Sequence, residues 1–417
     1  MRWLEIIKEF IMSLYSKITI TSPTDFRPVA DKAWRGIYKH DISDDAETSC
    51  QVVVNVYGKE KFSWVNGNKD LINNQAADED TRYGIGSFTK SFTGALVEKL
   101  IDLGYIADRD DLATAYLNPQ YSFPEHNVTV EQLLLHTAAI GGDYTGASNP
   151  QTGSDEAGPG LWGIKYYTQT KSWPMTPQGL REHFTSWWKD QTYPGVDIYD
   201  NNSTLVVDEF YYSNPGYLML GLICEEAYKA ATGNYLRLEE LYKEFIFNPC
   251  EMPNASGQLT NGQWEIPKNQ ASSYTYWWGT TYWNPEIYAI GVFSAGCIMS
   301  SAREAANFLP NLSKGLVMSS TATEKFFDAR INSSGMFPNS QYGSGIFKYN
   351  VTTTSGTRTL YAHGGIRDGF NTYALYDREL DISVVYVQNR TVLSQNQMWE
   401  DAIAMYQVAH DFYNPQS

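Results

Sequence analysis

Apolar residues near both ends of the chain fall in short runs that are typical of β-strands. The runs "CQVVVNVYG" and "EKFSWVNG", between residues 50 and 67, predict a hairpin that turns at Gly58-Lys59. The polar stretch "NGNKDLINNQAADED", residues 66–80, predicts a loop. Near the other end, "TRTLYAHGG", "FNTYALYDR" and "LDISVVYVQN" predict three successive strands joined by short turns.

Apolar residues at helical spacing predict three helices. The first runs from Phe88 through "TKSFTGALVEKLID" and stops at Gly104. The second is "GYLMLGLICEEAYKAA", which Asn214 would cap, with Pro215 at the first helical position and Gly233 at the end. The third, "MWEDAIAMYQVAHDFY", is amphipathic and lies near the end of the sequence.

Strands at both ends around a helical middle predict an α/β (α+β) fold, with one antiparallel sheet flanked by helices and split by an inserted, mostly helical domain. We expect an N-terminal extension at 1–24, a sheet domain at 25–105 and 286–417, and the helical insertion domain at 106–285. The opening "MRWLEIIKEFIMSLYS" carries charges within its apolar pattern, which favours an amphipathic helix over a signal peptide. The compartment stays open, and no run of about 18 apolar residues predicts a transmembrane segment.

Composition narrows the range of partners. The chain has 417 residues, with 31 Lys and Arg against 47 Asp and Glu, a formal charge of −16. Such a surface repels phosphate backbones, so nucleic acid is not an expected partner. The four cysteines are scattered and no metal-ligand spacing stands out, so we expect buried free thiols, no metal and no cofactor.

The stretch "YGIGSFTK" carries the first candidate chemistry. Ser87 and Lys90 stand three residues apart, which places both side chains on one face of a helix that begins here. A serine hydroxyl is a weak nucleophile until a base takes its proton, and a lysine serves as that base once burial and positive potential destabilise its ammonium. The pattern alone is weak, since Ser186 and Lys189 form a second Ser-x-x-Lys without a glycine turn before it.

Two further triplets supply context. Tyr212-Ser213-Asn214 stands at a loop-to-helix junction, although Tyr-x-Asn also occurs at Tyr116, Tyr199 and Tyr282. His363-Gly364-Gly365 occurs once and ends a predicted strand, where two glycines permit close approach of another group to the backbone. Each triplet by itself has an ordinary structural explanation.

Taken in order, the three motifs resemble the serine penicillin-recognising superfamily, which includes class C β-lactamases, D-Ala-D-Ala carboxypeptidases, D-aminopeptidases and related esterases. The resemblance extends from about residue 50 to 410 through blocks in the family's usual order, which include "VTVEQLLLHTAAI", "YYSNPGYLMLGLICEEA", "FSAGCIMSSAREAANFL" and "YGSGI". Seven such blocks in register are more specific than any one motif.

The resemblance implies a role for each matching residue. Ser87 would attack a carbonyl, Lys90 would support its deprotonation, and Tyr212 would move protons to the leaving group and from water. Asn214 would bind the substrate amide, and the third motif, with His363 and Gly365, would line the substrate. The backbone N–H groups of Ser87 and Ile366 would form the oxyanion hole. Whether Lys90 or Tyr212 is the general base stays open, and His136 in "LLLHTAAI" is expected to be structural support near the cleft.

The third motif departs from the β-lactamases, which usually carry Lys-Thr-Gly where this chain has His363-Gly364-Gly365. The resemblance therefore implies a serine hydrolase that acts through an acyl-enzyme on a small-molecule or short-peptide amide or ester, with D-amino-acid peptides or amides as the leading class. Three alternatives remain: an esterase or acyltransferase, a β-lactamase, and a non-catalytic binding or sensor protein that retains the fold. The oligomeric state stays open.

Overall fold

The structure of the protein is a computed structural model. It describes residues 25–38, 48–117, 128–138, 207–257, 259–260, 263–264, 268–275, 293–367, 369–391 and 395–414. The expected extension at 1–24 and the second Ser-x-x-Lys at Ser186 lie outside these residues. The boundaries of the helical insertion stay a prediction, because much of 106–285 lies outside them as well.

Strands from both ends of the chain meet in one sheet. In chain order the strands are β1 (Cys50–Val56), β2 (Lys59–Asn66), β3 (Asn68–Asp70), β4 (Gln75–Ala76), β5 (Tyr83–Gly84), β6 (Leu259–Thr260), β7 (Gln263–Trp264), β8 (Tyr274–Thr275), β9 (Met299–Ser300), β10 (Ile331–Asn332), β11 (Gln341–Tyr342), β12 (Phe347–Thr353), β13 (Gly356–Arg367), β14 (Phe370–Asp377), β15 (Ile382–Gln388) and β16 (Arg390–Thr391). Eight of them form an antiparallel sheet in the order β10-β11-β12-β13-β14-β15-β1-β2. Strand β1 lies beside β15, so the hairpin and the three C-terminal strands predicted from the sequence are confirmed and lie in one sheet.

The prediction that the polar stretch at 66–80 is a loop is only partly right. It contains β3 and β4, which pair with each other and carry no apolar alternation. Ladder hydrogen bonds to the backbone do not depend on side-chain polarity, which is why the hydropathy pattern does not reveal these strands.

Helices cover both faces of the sheet. In chain order the described helices are α1 (Phe26–Tyr38), α2 (Thr89–Asp102), α3 (Val130–Leu134), α4 (Asn214–Thr232), α5 (Leu238–Tyr242), α6 (Phe293–Gly296), α7 (Ala302–Ser313), α8 (Ser320–Phe327) and α9 (Gln395–Tyr413). Short 3-10 turns lie at Gly86–Phe88 and Ala113–Ala115, and a π-helical turn at Lys243–Phe247. Helices α1 and α9 pack together on one face, and α7 packs against β15 and β1 on the other.

The hydrophobic core forms two clusters of buried residues, one on each face of the sheet. Val52 and Val54 pack in a cluster with residues of α1 and α9, whereas Val53 packs in a second cluster with α2 and α7. Successive side chains of a strand point to opposite faces, so an unbroken apolar run predicts burial on both sides. The run Val52-Val53-Val54 is buried as that argument requires, and the polar residues Gln51 and Asn55 of β1 are buried as well.

Helix α2 carries the first motif into the interior. The 3-10 turn Gly86–Phe88 leads directly into it, and eleven of its residues are buried, Lys90 among them. It packs against α4, α6 and α8. Gly104 follows its end with φ of 72°, which confirms the predicted stop.

Helix α4 confirms a second prediction and corrects one detail. The helix ends at Gly233, whose φ of 74° places it in the left-handed region, as predicted. Its cap, however, is Ser213 and not Asn214, because the Ser213 side chain accepts the hydrogen bond from the Gly216 N–H. Asn214 is the first helical residue, and its side chain is thereby available for a contact elsewhere.

The four cysteines are buried thiols, as predicted. None of the helices in the described part of the chain has the length and apolar character needed to cross a lipid bilayer.

Candidate active site

Ser87 and Lys90 lie one turn apart where the 3-10 turn becomes α2. Lys90 has no exposed surface, whereas Ser87 is partly exposed. Lys90 Nζ lies 3.1 Å from Ser87 Oγ, within hydrogen-bond distance. The positive end of the helix dipole also faces this turn, which disfavours a cation and favours developing negative charge.

Two other oxygen atoms hold Lys90 Nζ. Asn214 Oδ1 lies 2.6 Å away and the carbonyl oxygen of Ala295 lies 2.9 Å away. Amide and carbonyl oxygens only accept hydrogen bonds, so these two partners each require an N–H from the lysine. A neutral amine has two N–H groups and one lone pair. Of these three partners only Ser87, a hydroxyl, can then give its proton to the lone pair.

Tyr212 forms another side of the site. It lies in the segment before α4, and Lys90 Nζ stands 4.8 Å from the centre of its ring. The ring of His363 on β13 lies 6.3 Å from it, centre to centre. The structure thus brings the three motifs together although they are far apart in the sequence.

The backbone of β13 runs against the turn that carries Ser87. A Cβ on Gly365 would collide with the Ile85 carbonyl and lie 3.0 Å from Ser87 N. Gly86 has φ of 51°, and a Cβ there would stand 2.8 Å from the Ile366 carbonyl oxygen. Both positions need glycine because two backbones meet without room for side chains. This contact brings the Gly365-Ile366 peptide alongside Ser87, with the Ile366 side chain 49% exposed at the rim.

His363 lies beneath the site and not on its open surface. It is 2% exposed; Nδ1 lies 2.6 Å from the Gly364 carbonyl oxygen and Nε2 lies 3.2 Å from Tyr342 Oη. A carbonyl oxygen only accepts, so the proton belongs on Nδ1, and Nε2 accepts from the tyrosine hydroxyl. Burial lowers the pKa of His363 to about 3, so the ring is neutral at pH 7.

His136 also lies close to the motifs, as the sequence led us to expect. It is 2% exposed, and its ring packs 4.5 Å from the ring of Tyr212, centre to centre. Burial holds its pKa well below the usual value. This histidine is therefore neutral too.

Sequence reasoning missed two contributors. The Ala295 carbonyl contacts Lys90, and Tyr342 contacts His363. Both lie in blocks that the family resemblance marks, "FSAG" and "YGSGI". A backbone carbonyl has no residue-type signature, so composition and spacing could not single it out.

Of the other three Tyr-x-Asn matches, only the one at Tyr116 lies in the described residues. The hydroxyl of Tyr116 donates to Asp111 and accepts from the Ala107 N–H, in the loop after α2. Tyr199 and Tyr282 lie outside the described residues. Within the described part, no three His, Cys, Asp or Glu side chains form a group that could hold a metal ion.

Comparison with known proteins places this geometry in context. A family model described as Beta-lactamase matches residues 39–406. Protein flp of Staphylococcus aureus (strain N315) is 23% identical over 362 residues, a match that covers 85% of this chain and 62% of that protein. The chain therefore spans less than two thirds of the length of this relative.

Several solved structures share the fold. The octameric penicillin-binding protein homologue from Pyrococcus abyssi matches with a TM-score of 0.70 and 22% identity, over 91% of this chain and 76% of that chain. The D-amino acid amidase from Ochrobactrum anthropi SV3, complexed with D-phenylalanine, matches with a TM-score of 0.65 and 18% identity, over 91% and 99%. A D-stereospecific amidohydrolase from Streptomyces sp. matches with a TM-score of 0.62 and 19% identity, over 94% and 99%. At these identities the likeness concerns the fold.

Proposed function

Since the chain belongs to the beta-lactamase family, we propose that it is a serine hydrolase that cleaves an amide or ester through an acyl-enzyme on Ser87. The observation that carries the proposal is the set of contacts around Lys90. Its Nζ lies 3.1 Å from Ser87 Oγ, and two acceptor oxygens take up both N–H groups of the neutral amine, which leaves its lone pair for Ser87. This arrangement supports Lys90 as the base that takes the proton of Ser87.

The same contacts support an acylation step on Ser87. The Ser87 proton passes to Lys90 Nζ as Ser87 Oγ forms a bond to the substrate carbonyl carbon. The carbonyl oxygen becomes an oxyanion, which the backbone N–H groups of Ser87 and Ile366 would stabilise. The contact between the Gly86 turn and the Gly365-Ile366 peptide supports that pairing, because it brings the two backbones together.

Tyr212 would complete both half-reactions. As the tetrahedral intermediate collapses, the bond to the leaving group breaks and that group takes a proton from the Tyr212 hydroxyl, which recovers one from Lys90. In deacylation a water molecule gives its proton to the Tyr212 hydroxyl, which passes one to Lys90, and the water oxygen attacks the acyl carbon. As the bond between that carbon and Ser87 Oγ breaks, Ser87 takes the proton back from Lys90. The nearness of Lys90 to the Tyr212 ring supports this assignment.

The third motif favours a substrate without a required carboxylate. His363 is neutral and its single N–H is directed to the Gly364 carbonyl, so it provides neither a fixed charge nor a spare donor. We therefore assign it the role of shaping the β13 edge rather than of binding substrate. D-amino-acid amides or peptides are the leading substrate class, in keeping with the D-amino acid amidase and the D-stereospecific amidohydrolase that share the fold. An ester substrate or an acyl acceptor other than water would use the same machinery.

A covalent label tests the proposal directly. Intact-mass measurement after exposure to a fluorophosphonate should show one adduct, and peptide mapping should place it on Ser87. Ser87→Ala should take no label and lose at least about 10³-fold in turnover of any substrate found. Ser186→Ala, the matched control from the second Ser-x-x-Lys, should stay within about threefold of the unmodified protein. Full turnover by Ser87→Ala would exclude the acyl-enzyme mechanism.

A further inference from the structure

His136 follows α3 in a backbone conformation that residues with a side chain seldom adopt. Its φ is 59°, in the left-handed region. The chain reaches it through the last turn of α3, where the Leu135 N–H bonds the Glu131 carbonyl. Such a conformation persists where surrounding contacts fix it. Its consequence is that the carbonyl and the ring of His136 both face the segment that carries Tyr212.

The contacts with that segment follow a strand-like pattern. The Tyr211 N–H donates to the His136 carbonyl oxygen at 2.8 Å, and the Ser213 N–H donates to His136 Nδ1 at 3.0 Å. Ser213 is extended, with φ of −134° and ψ of 114°. In extended chain, alternate N–H groups point the same way and normally meet two acceptors of a neighbouring strand. Here a single residue supplies both acceptors, one from its backbone and one from its ring.

Tyr212 lies between the two bonded residues, so both of its peptide neighbours are held. The His136 ring also packs 4.5 Å from its ring, centre to centre. Beyond it, Ser213 Oγ caps α4 by accepting from the Gly216 N–H. The first residue of that helix is Asn214, whose Oδ1 contacts Lys90 at 2.6 Å. Thus His136 contacts Ser213, which lies between the two residues that approach Lys90.

We propose that His136 is a positioning residue for this site: its Nδ1 acts as a substitute strand acceptor that fixes Tyr212 and Asn214 against Lys90. The inference rests on the proposed function, because it assigns His136 a part in that same reaction. His136 itself need not touch substrate.

The role requires a particular tautomer. Nδ1 accepts from the Ser213 N–H and must be bare, so the proton of the neutral ring is on Nε2. Among the described residues Nε2 has no hydrogen-bond partner. A doubly protonated ring would direct an N–H at the Ser213 N–H. Burial, which holds the pKa of His136 well below its usual value, prevents this at neutral pH.

Two substitutions separate the acceptor from the ring. His136→Asn keeps an oxygen acceptor at the position of Nδ1, and asparagine tolerates the left-handed backbone. His136→Phe keeps an aromatic ring and removes the acceptor. We expect His136→Phe to lower kcat for p-nitrophenyl butyrate by about 10- to 100-fold with KM within about threefold, since small displacements of reacting groups have effects of this size. His136→Asn should keep kcat within about fivefold of the unmodified protein.

Controls make the outcome decisive. His410→Phe alters another buried histidine, which lies in α9 and contacts Ser355. This variant should leave kcat unchanged. All assays are run well below each variant's Tm. If His136→Phe does not fold, His136→Ala takes its place under the same criterion, because it also removes the acceptor. Wild-type kcat in the variant without the acceptor, or an equal loss in His136→Asn, would overturn the inference.

Ser87→Ala in the same assay distinguishes the two hypotheses. If Ser87→Ala retains turnover, the proposed function fails and the inference fails with it. If Ser87→Ala is inactive while His136→Phe is fully active, only the positioning role is wrong.

Discussion

Lys90 and Asn214, 124 positions apart in the sequence, are joined by a hydrogen bond of 2.6 Å between Nζ and Oδ1. An amide oxygen satisfies one lysine N–H without bringing a charge to the site. A carboxylate at the same place would stabilise the ammonium form. The amide at position 214 therefore suits a lysine that must act as a base.

This relationship predicts a pH effect for Asn214→Asp. The new carboxylate should hold Lys90 protonated, so the rising limb of kcat/KM should move to higher pH by about one unit or more. Asn214→Ala, which removes the contact without adding charge, should lower the rate without that alkaline displacement. A profile for Asn214→Asp that keeps its original midpoint would argue against Lys90 as the base.

Tyr212→Phe should lower turnover by about 10²- to 10⁴-fold, the usual range for an acid–base residue. Tyr211→Phe is the matched control, because Tyr211 is the neighbour of Tyr212 in the sequence and its hydroxyl donates to the exposed Glu209. It should stay within about threefold, as should Tyr116→Phe, the chance Tyr-x-Asn match in the described residues. A larger loss at Tyr116 than at Tyr212 would show that the wrong triplet had been chosen. Steady-state kinetics on one ester substrate decide the matter.

Gly365→Ala should disrupt the junction between β13 and the Ser87 turn, because its Cβ would collide with the Ile85 carbonyl. We expect a lower Tm and a rate of Ser87 labelling at least about tenfold slower, since the two backbones must separate. Gly335→Ala is the control, as no atom lies within 4 Å of the added Cβ. Thermal denaturation and fluorophosphonate labelling measure the two effects, and equal behaviour of the two variants would contradict the close contact.

Substrate preference should follow the neutral third motif. We expect measurable hydrolysis of p-nitrophenyl esters or D-amino-acid p-nitroanilides and little turnover of nitrocefin, whose carboxylate finds no fixed charge at His363. L-amino-acid p-nitroanilides serve as the stereochemical control. Faster hydrolysis of nitrocefin than of every ester and anilide would refute this preference while leaving the Ser87 mechanism intact.

Stability should depend on pH through His363. Its pKa is about 3 in the folded protein against an ordinary value of 6.5, so the unfolded chain binds the proton first. Its stabilising contribution is complete above pH 6.5 and is lost as pH falls toward 3, with a slope of up to about 1.4 kcal/mol per unit. The free energy of unfolding of the unmodified protein, minus that of His363→Gln, should show this slope between pH 6.5 and 5. A constant difference would contradict the lowered pKa.

The sequence by itself determined the elements whose causes are local. The apolar runs of β1 and β15 predict strands, and Gly233 predicts the end of α4, because these signals involve residues within a turn or a pleat of one another. The spacing of Ser87 and Lys90 is of the same kind, since one helical turn joins them. The order of the family blocks added the fold and the set of residues expected at the site.

Tertiary structure decided what each polar group does. The local rule assigned Asn214 to the helix cap, yet Ser213 caps α4 and Asn214 contacts Lys90. The sequence suggested His363 as a substrate contact, yet its N–H is directed to the Gly364 carbonyl within a buried aromatic cluster. A polar side chain close to several possible partners takes the one that burial leaves within reach. That choice depends on chain segments more than a hundred residues apart, which only the closed fold brings together.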